Sequence, residues 1–225
     1  MKYSTELSAC KNIIWDWNGT LLNDLDICVV SINRLLQKRR LPQLNIQKYL
    51  EIFTFPVKDY YVSAGFDFNQ EPYEMVAVEF MDHYLDLVKT AGLHSNVNET
   101  LHFFKNSGRE QIILSAMEQT ELLKLVKAHQ IETHFNAVYG IEDHLAFGKI
   151  GLAKSTMLKT GFKHSETCLI GDTLHDAEVA HELGIHCLLV ANGHQSAQRL
   201  QSSGYSVIES LKEIEKVFEK SPISQ

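Results

Sequence analysis

The sequence predicts an α/β protein built on a doubly wound parallel sheet, with an all-helical unit inserted after the first strand. Three observations carry this. From residue 97 onward short apolar runs alternate with helical patterns, the rhythm of parallel strands covered by helices. An earlier apolar run, Asn12 to Asp16, is separated from that alternation by a long stretch with helical periodicity only. Three of the apolar runs end in polar residues: Asp16, Ser115 and, through Gly171, Asp172. A parallel sheet gathers such residues at one edge, where open α/β sheets bind ligands.

Taken in order, the run ending at Asp16 is followed by a glycine-containing turn, Trp17-Asn18-Gly19-Thr20. Residues 24–38 read as a helix. Cys28, Ile32, Leu35 and Leu36 share one stripe, Lys38, Arg39 and Arg40 suit the negative end of its dipole, and Pro42 stops it. From Gln43 to Gly92 no convincing strand occurs. The clearest helix there carries Tyr73, Val76, Ala77, Phe80, Tyr84, Leu87 and Val88, opened by Pro72 and closed by Gly92. Next come a helix over 97–106 ended by Gly108 and a strand over 111–114 running into Ser115. A helix marked by Leu122, Leu125 and Val126 and a strand over 137–139 before Gly140 follow. A helix over 149–159 ended by Gly161, a buried strand over 167–170, a helix over 176–183 ended by Gly184 and a strand over 185–190 continue the pattern. A weak strand over 205–208 and a helix striped by Leu211, Ile214, Val217 and Phe218 close it, with the tail Ser221–Gln225 expected to fray. The predicted division is a core of residues 1–22 and 93–225 with an inserted helical domain of residues 23–92.

The 225 residues, 44% hydrophobic with only 4 Pro, suffice for one full core and a smaller lobe. A net charge of −7 argues against nucleic-acid or anionic-membrane partners, so an anionic substrate would need a local basic site. Cys10, Cys28, Cys168 and Cys187 lack paired metal-ligand spacing, and the last two fall in predicted buried strands, where a thiol acts as a small apolar group. A reducing, cytoplasmic compartment fits them. No apolar run approaches the roughly 18 residues needed to cross a membrane, and Met1 to Asn12 has no apolar signal core. The 11 histidines form no His-x-x-x-His or His-Glu-x-x-His pair, so hydrogen-bonded or solvated roles fit them better than a metal centre.

Four ordered motifs resemble those of the haloacid dehalogenase superfamily. They are Asp16-x-Asn18-Gly19-Thr20, Ser115 after an apolar strand, a lysine before a helix, and Gly171-Asp172-x-x-x-Asp176 after another strand. The resemblance spans the whole chain, and the helical insert is similar to the cap of the phosphoglycolate phosphatase-like subgroup. It implies a Mg²⁺-dependent hydrolase acting on a small phosphorylated metabolite, in which Asp16 attacks the phosphoryl group and water hydrolyses the aspartyl-phosphate. Mg²⁺ would be held by Asp16, the main-chain carbonyl of Asn18 and Asp172, with Asp176 binding directly or through water; hard oxygen ligands suit that ion. Cations are needed in any case, because like charges about 4 Å apart repel by about 4 kcal/mol at an effective dielectric of about 20.

The resemblance also implies that Thr20, Ser115 and the Ala116 amide bind the phosphoryl group. Of two candidate lysines, Lys149 is favoured over Lys154. It follows Gly148 at the helix start, and its spacing to Gly171-Asp172 is closer to the family's, although the family's Lys-Pro pair is absent. The stretch Phe53 to Tyr60 lies where caps of this subgroup select substrate, and Lys58 in it would meet a substrate anion.

Asn18 is the departure from the pattern. Family phosphatases usually carry there a second aspartate that protonates the leaving alcohol and then activates water. An amide cannot exchange that proton, and positioned acid–base groups contribute about 10²- to 10⁴-fold. Asn18 therefore implies slow turnover, or replacement by water or a histidine such as His175 or His194. Two alternatives to the phosphatase follow: a phosphonate- or haloacid-cleaving relative, or a phosphometabolite-binding or regulatory protein with little turnover. Retention of Asp172 and Asp176 argues against the dehalogenase.

Overall fold

The computed structural model describes residues 6–141 and 148–219; the tail expected to fray, Ser221–Gln225, lies outside them. The elements are β1 (Asn12–Trp15), β2 (Leu22–Asn23), α1 (Leu25–Lys38), α2 (Ile46–Ile52), α3 (Val57–Ala64), α4 (Tyr73–Val88), β3 (Gly92–Leu93), α5 (Val97–Asn106) and β4 (Glu110–Glu118). They continue with α6 (Gln119–Ala128), β5 (Ala137–Ile141), α7 (Gly148–Thr160), β6 (Thr167–Gly171), α8 (Leu174–Leu183), β7 (His186–Val190), α9 (Ala197–Gln201), β8 (Ser206–Ile208) and α10 (Ile214–Phe218). Among the described residues, β5-β4-β1-β6-β7-β8 form one sheet in that order, every neighbouring pair parallel.

The strands read as continuous apolar runs because both faces of the sheet are covered. Side chains alternate between two layers. Ile13, Trp15, Ile113, Cys168, Ile170, Leu188 and Val190 enter one, with Leu101, Phe104, Leu122, Val126 and Phe218 from α5, α6 and α10. Ile14, Ile112, Leu114, Leu169, Cys187 and Leu189 enter the other, against Ala153, Met157, Ala177 and Leu183 from α7 and α8. All four cysteines are free and buried, with Cys168 and Cys187 in opposite layers as small apolar groups.

From β1 the order runs through β4 to β5 on one side and through β6 to β8 on the other. The direction of winding therefore switches beside β1, and the carboxyl ends of β4, β1 and β6 border the crevice this creates. Before reaching β4 the chain passes through α1–α4, where α1 packs along α4 and α2 touches α1 and α3. Arg39, just past α1, forks Glu71 with two 2.6 Å bonds and reaches Glu79 of α4 at 2.8 Å, a charge-assisted tie across this helical stretch.

Local differences from the sequence reading have identifiable causes. Gly92 does not close a helix: α4 ends at Val88, and Gly92 opens β3, which pairs antiparallel with β2 (Leu22 with Leu93, Asn23 with Gly92). This pair joins the entry and exit of the helical stretch, reinforced by the His94 amide donating to Leu21 O at 2.9 Å. Two-residue strands are too short to show a periodicity, and the five-residue α9 escaped for the same reason. Ser115 does not end its strand either. β4 continues to Glu118, but its pairing with β5 shifts between Leu114 and Glu118, an irregularity that takes Ser115 and Ala116 out of register at the crevice. Gly140 lies inside β5, where a Cβ would stand 2.7 Å from Met117 O. No helix among the described residues is long and apolar enough to cross a membrane.

Candidate active site

Asp16 follows β1 directly, its amide still donating to Ile170 O of β6 at 2.9 Å. The chain then reverses in a tight turn. The amides of Leu21 and Leu22 donate to Trp17 O, and Gly19 takes φ +73°, a left-handed conformation that glycine adopts without steric cost. Asp172 follows β6. Asp176 lies in the first turn of α8, where one carboxylate oxygen accepts from the Thr173 amide at 3.0 Å and the Thr173 hydroxyl at 2.7 Å. Lys149 is the second residue of α7, and its buried ammonium joins Asp16 and Asp176, the latter at 2.5 Å.

Oxygens of Asp16, Asp172 and Asp176, one from each, lie within 4.8 Å of one another. Two glycines permit this crowding, since a Cβ at Gly19 or Gly193 would overlap the Asp172 carboxylate. Thr20 is fully buried beneath the cluster, its hydroxyl 2.9 Å from Asp172 Oδ1 and 3.3 Å from Asp16 Oδ2. Asp172 also accepts from the His194 amide at 2.6 Å.

The electrostatics are those of a cation site. Burial, with the charges of Asp176 and Asp172 adding, outweighs Lys149 and pushes the Asp16 carboxyl up to about 8. Burial and Asp176 likewise raise Asp172 to about 6 against the opposing His194. Burial would raise Asp176 too, but Lys149 and the two Thr173 donors prevail and lower it. Burial disfavours the charged Lys149, yet its two carboxylates raise it. Three buried carboxylates thus face one ammonium, and their all-oxygen donor set fits a hard divalent cation such as Mg²⁺.

A second buried cluster adjoins the first. Asp24 stands at the start of α1, but its carboxylate turns away from the helix end. It accepts from Gly19 N (2.9 Å), Asn18 Nδ2 (2.9 Å) and the Tyr84 hydroxyl (2.7 Å), and lies 3.2 Å from His194 Nε2. The other ring nitrogen of His194 meets the Tyr49 hydroxyl at 3.1 Å. Burial alone would lower the His194 imidazole, but the charge and hydrogen bond of Asp24, with Asp172 and Asp16 adding, raise it to about 9. Burial would raise Asp24, and His194, Tyr84 and Asn18 together lower it. Cys28 is close enough to complete a ligand trio with Asp24 and His194, but burial holds its thiol well above the ordinary range, and the other two already pair with each other.

This network accounts for the amide at position 18. Asn18 Nδ2 has two protons and two acceptors, Asp24 Oδ2 and the Tyr84 oxygen at 2.6 Å, while the Tyr84 hydroxyl donates onward to Asp24. A carboxylate in its place would have no proton for either and would face Asp24. Asn18→Asp is therefore expected to lose about 2–4 kcal/mol of stability at pH 8 through like-charge repulsion. A carboxyl pair raised in the folded state binds protons there before the unfolded chain does, so the deficit shrinks as pH falls toward 5. Urea denaturation at both pH values with chelator present measures this; an unchanged midpoint at pH 8 contradicts it.

A cavity of about 210 Å³ opens above both clusters. It brings together Asp16, Asn18, Ser115, Ala116, Lys149, Asp172 and Asp176. Ser115 Oγ accepts from Met117 N at 3.1 Å, which leaves its proton to donate. Two expected residues stand elsewhere: Thr20 underlies the carboxylates, and Lys58 is exposed on α3, its ammonium 5.7 Å and 5.9 Å from the Phe68 and Tyr73 ring centroids. Lys154 pairs with Glu182 on the surface. His175 lies at the cavity wall, paired with Glu178 and stacked on Phe55, while His194 is buried. The sequence reading missed the roles of Asp24, Tyr49, Tyr84 and Gly193. For Gly193 a signal existed, a glycine shortly after a buried strand.

A family model described as haloacid dehalogenase-like hydrolase matches residues 13–190. No curated protein matches the chain in a sequence search. Among solved structures, a haloacid dehalogenase-like family hydrolase from Streptococcus pneumoniae is similar, with a TM-score of 0.81 at 18% identity over 94% of this chain and 100% of that one. A protein of Haemophilus somnus 129pt described as a predicted phosphoglycolate phosphatase has a TM-score of 0.73 at 20% identity over 94% and 99% of the two chains. CbbY from Rhodobacter sphaeroides, solved with phosphate, has a TM-score of 0.68 at 13% identity over 91% and 96%. At these identities the likeness is one of fold.

Proposed function

This chain belongs to the haloacid dehalogenase-like hydrolase family, and we propose that it is a Mg²⁺-dependent phosphatase of small phosphomonoesters working through a phospho-Asp16 intermediate. The observation that carries this reading is the junction of Asp16, Lys149 and Asp176 at the crevice. Asp16 sits at a strand end facing the cavity, and an adjacent cation would shift it to the ionised form a nucleophile needs. The proposed ligands of Mg²⁺ are Asp16, Asp172, Asp176 and the main-chain carbonyl of Asn18. When bound, the ion supplies charge neutralisation and polarisation of the phosphoryl group.

The chain's own groups then have distinct tasks. Asp16 Oδ forms the bond to phosphorus as the bond from phosphorus to the alcohol oxygen breaks, and water later cleaves the acyl phosphate. Ser115, the Ala116 amide and Lys149 hold phosphoryl oxygens. Thr20 positions Asp16 and Asp172 rather than substrate. Lys58 has no part in binding on this reading. Residues 23–92 act as the cap and residues 1–22 with 93–225 as the core, closure of one on the other excluding water. The buried, unpaired cysteines support a cytoplasmic setting, with a small phosphorylated metabolite as partner.

The groups joined to Asn18 that can exchange a proton are Tyr84, Asp24 and, through Asp24, His194. Turnover is slow if none of them reaches the leaving oxygen. That leaves a second reading, a phosphometabolite-binding protein, supported by the full engagement of the Asn18 amide. Phosphonate cleavage in the family needs a cap lysine in the site, and the exposed position of Lys58 opposes it.

Phosphate release from a panel of phosphomonoesters tests the proposal. Release is expected with Mg²⁺, to fall at least about 100-fold on chelation, and to return when Mg²⁺ is restored. Release indifferent to chelation contradicts the metal assignment, and tight ester binding without release favours the second reading.

A further inference from the structure

Beyond its carboxylates the cavity is walled by Tyr49, Phe53, Phe55, Tyr60, Phe80 and Tyr84. Phe53 lies at their centre. Its ring centroid is 5.1 Å from that of Tyr49, 5.2 Å from Tyr60, 5.5 Å from Phe55 and 5.1 Å from His194, in stacked, edge-on and tilted arrangements. Phe53 and Phe55 remain partly exposed, so a bound group can still cover them.

Charge and hydrogen bonding narrow what that group is. Each cationic or potentially cationic side chain among the described lining residues already has a carboxylate: Lys149 has Asp16 and Asp176, His194 has Asp24, and His175 has Glu178. An anionic leaving group such as a carboxylate would meet no free counter-charge, and Lys58 stands outside. The hydroxyls of Tyr49 and Tyr84 are engaged with His194, Asp24 and Asn18, and that of Tyr60 is buried away from the cavity surface. A polyol would be stripped of water with too few partners to replace it. Size sets the last limit. An apolar cavity of about 150 Å³ holds benzene, so 210 Å³ has room for a phosphoryl group and one ring.

We infer, on the basis of the phosphatase reading above, that the ester taken at this site is the phosphate of an uncharged alcohol bearing a single aromatic ring. Phe53 and Phe55 cover the ring's faces and edges.

The test compares kcat/KM for four esters of primary alcohols with Mg²⁺: 2-phenylethyl phosphate, ethyl phosphate, 2-phosphoglycolate and glycerol 3-phosphate. The phenylethyl ester is expected to exceed ethyl phosphate by at least about tenfold, mainly through KM, and to exceed the two polar esters similarly. Phe55→Ala removes most of that ratio, and Phe55→Leu, which keeps an apolar side chain of moderate size, retains part of it. Equal or better turnover of 2-phosphoglycolate or glycerol 3-phosphate overturns the inference and leaves the phosphatase reading standing. If no ester is hydrolysed, the phosphatase reading fails, and calorimetric affinities for the same four esters decide: a preference for 2-phenylethyl phosphate supports the inference, and no preference overturns it.

Discussion

Asp16→Asn is expected to abolish phosphate release, lowering kcat by at least about 10⁴-fold, because the amide cannot form the covalent intermediate. Stability is expected to hold or rise. Asp16 is the carboxyl that burial and two neighbouring acids push up to about 8, so a neutral isostere removes repulsion from the cluster. Lys149 keeps Asp176 as its partner. Loss of activity with an unchanged or raised urea midpoint would separate a chemical role from a structural one. Turnover persisting in the variant would remove Asp16 from the mechanism.

Lys149→Met should affect both activity and folding. The ammonium is the one side-chain cation shown bridging Asp16 and Asp176, and all three groups are buried. Removing one partner of a buried ion pair leaves uncompensated charge and typically costs about 3–5 kcal/mol. Loss of a phosphoryl-oxygen donor in a water-poor site adds a kinetic deficit of about 10²- to 10³-fold or more. The stability loss should depend on pH. In the wild type Lys149 helps hold Asp176 below its ordinary value, a contribution present above the unfolded carboxyl range and lost as pH falls through the folded one. Without the ammonium the carboxyls rise and take up protons in the folded state. The gap to wild type is then widest near pH 8 and closes toward pH 5. Denaturation with chelator present at both pH values reads this directly, and equal stability at pH 8 contradicts the buried pairing.

Much of this site was legible because it lies where apolar runs give way to polar residues. Asp16, Ser115 and Asp172 each close an apolar run, and a sheet covered on both faces makes such runs easy to see. Lys149 and Asp176 stand in the first turns of helices that the periodicity locates, so the topology could be expected to carry them to the same edge. The second cluster was hidden for a physical reason. An acid before an apolar stripe looks the same whether its side chain caps the helix or turns away, as that of Asp24 does, and its partner His194 is 170 residues distant. Tyr84 occupies a helical apolar stripe, and only the fold reveals that its hydroxyl ends at Asp24. For Thr20 and Lys58, position in a motif or segment does not determine where the side chain points. The shift in the β4–β5 pairing and the β2–β3 pair arise from neighbouring strands, and local sequence carries no trace of them.

The amide at position 18 changes meaning in this setting. From the sequence it is a missing acid. In the fold it is the donor that satisfies Asp24 and Tyr84 at once. Slow turnover would lengthen the life of the phosphorylated enzyme, which makes the intermediate accessible to direct detection.

The most direct measurement is therefore rapid acid quench of the protein with Mg²⁺ and a substrate ester, followed by peptide mass spectrometry. The expected result is one phosphoryl group, released by hydroxylamine, on the peptide containing Asp16, absent in Asp16→Asn and in the presence of chelator. Phosphate release with no label on that peptide, or with the label on another residue, would contradict the account.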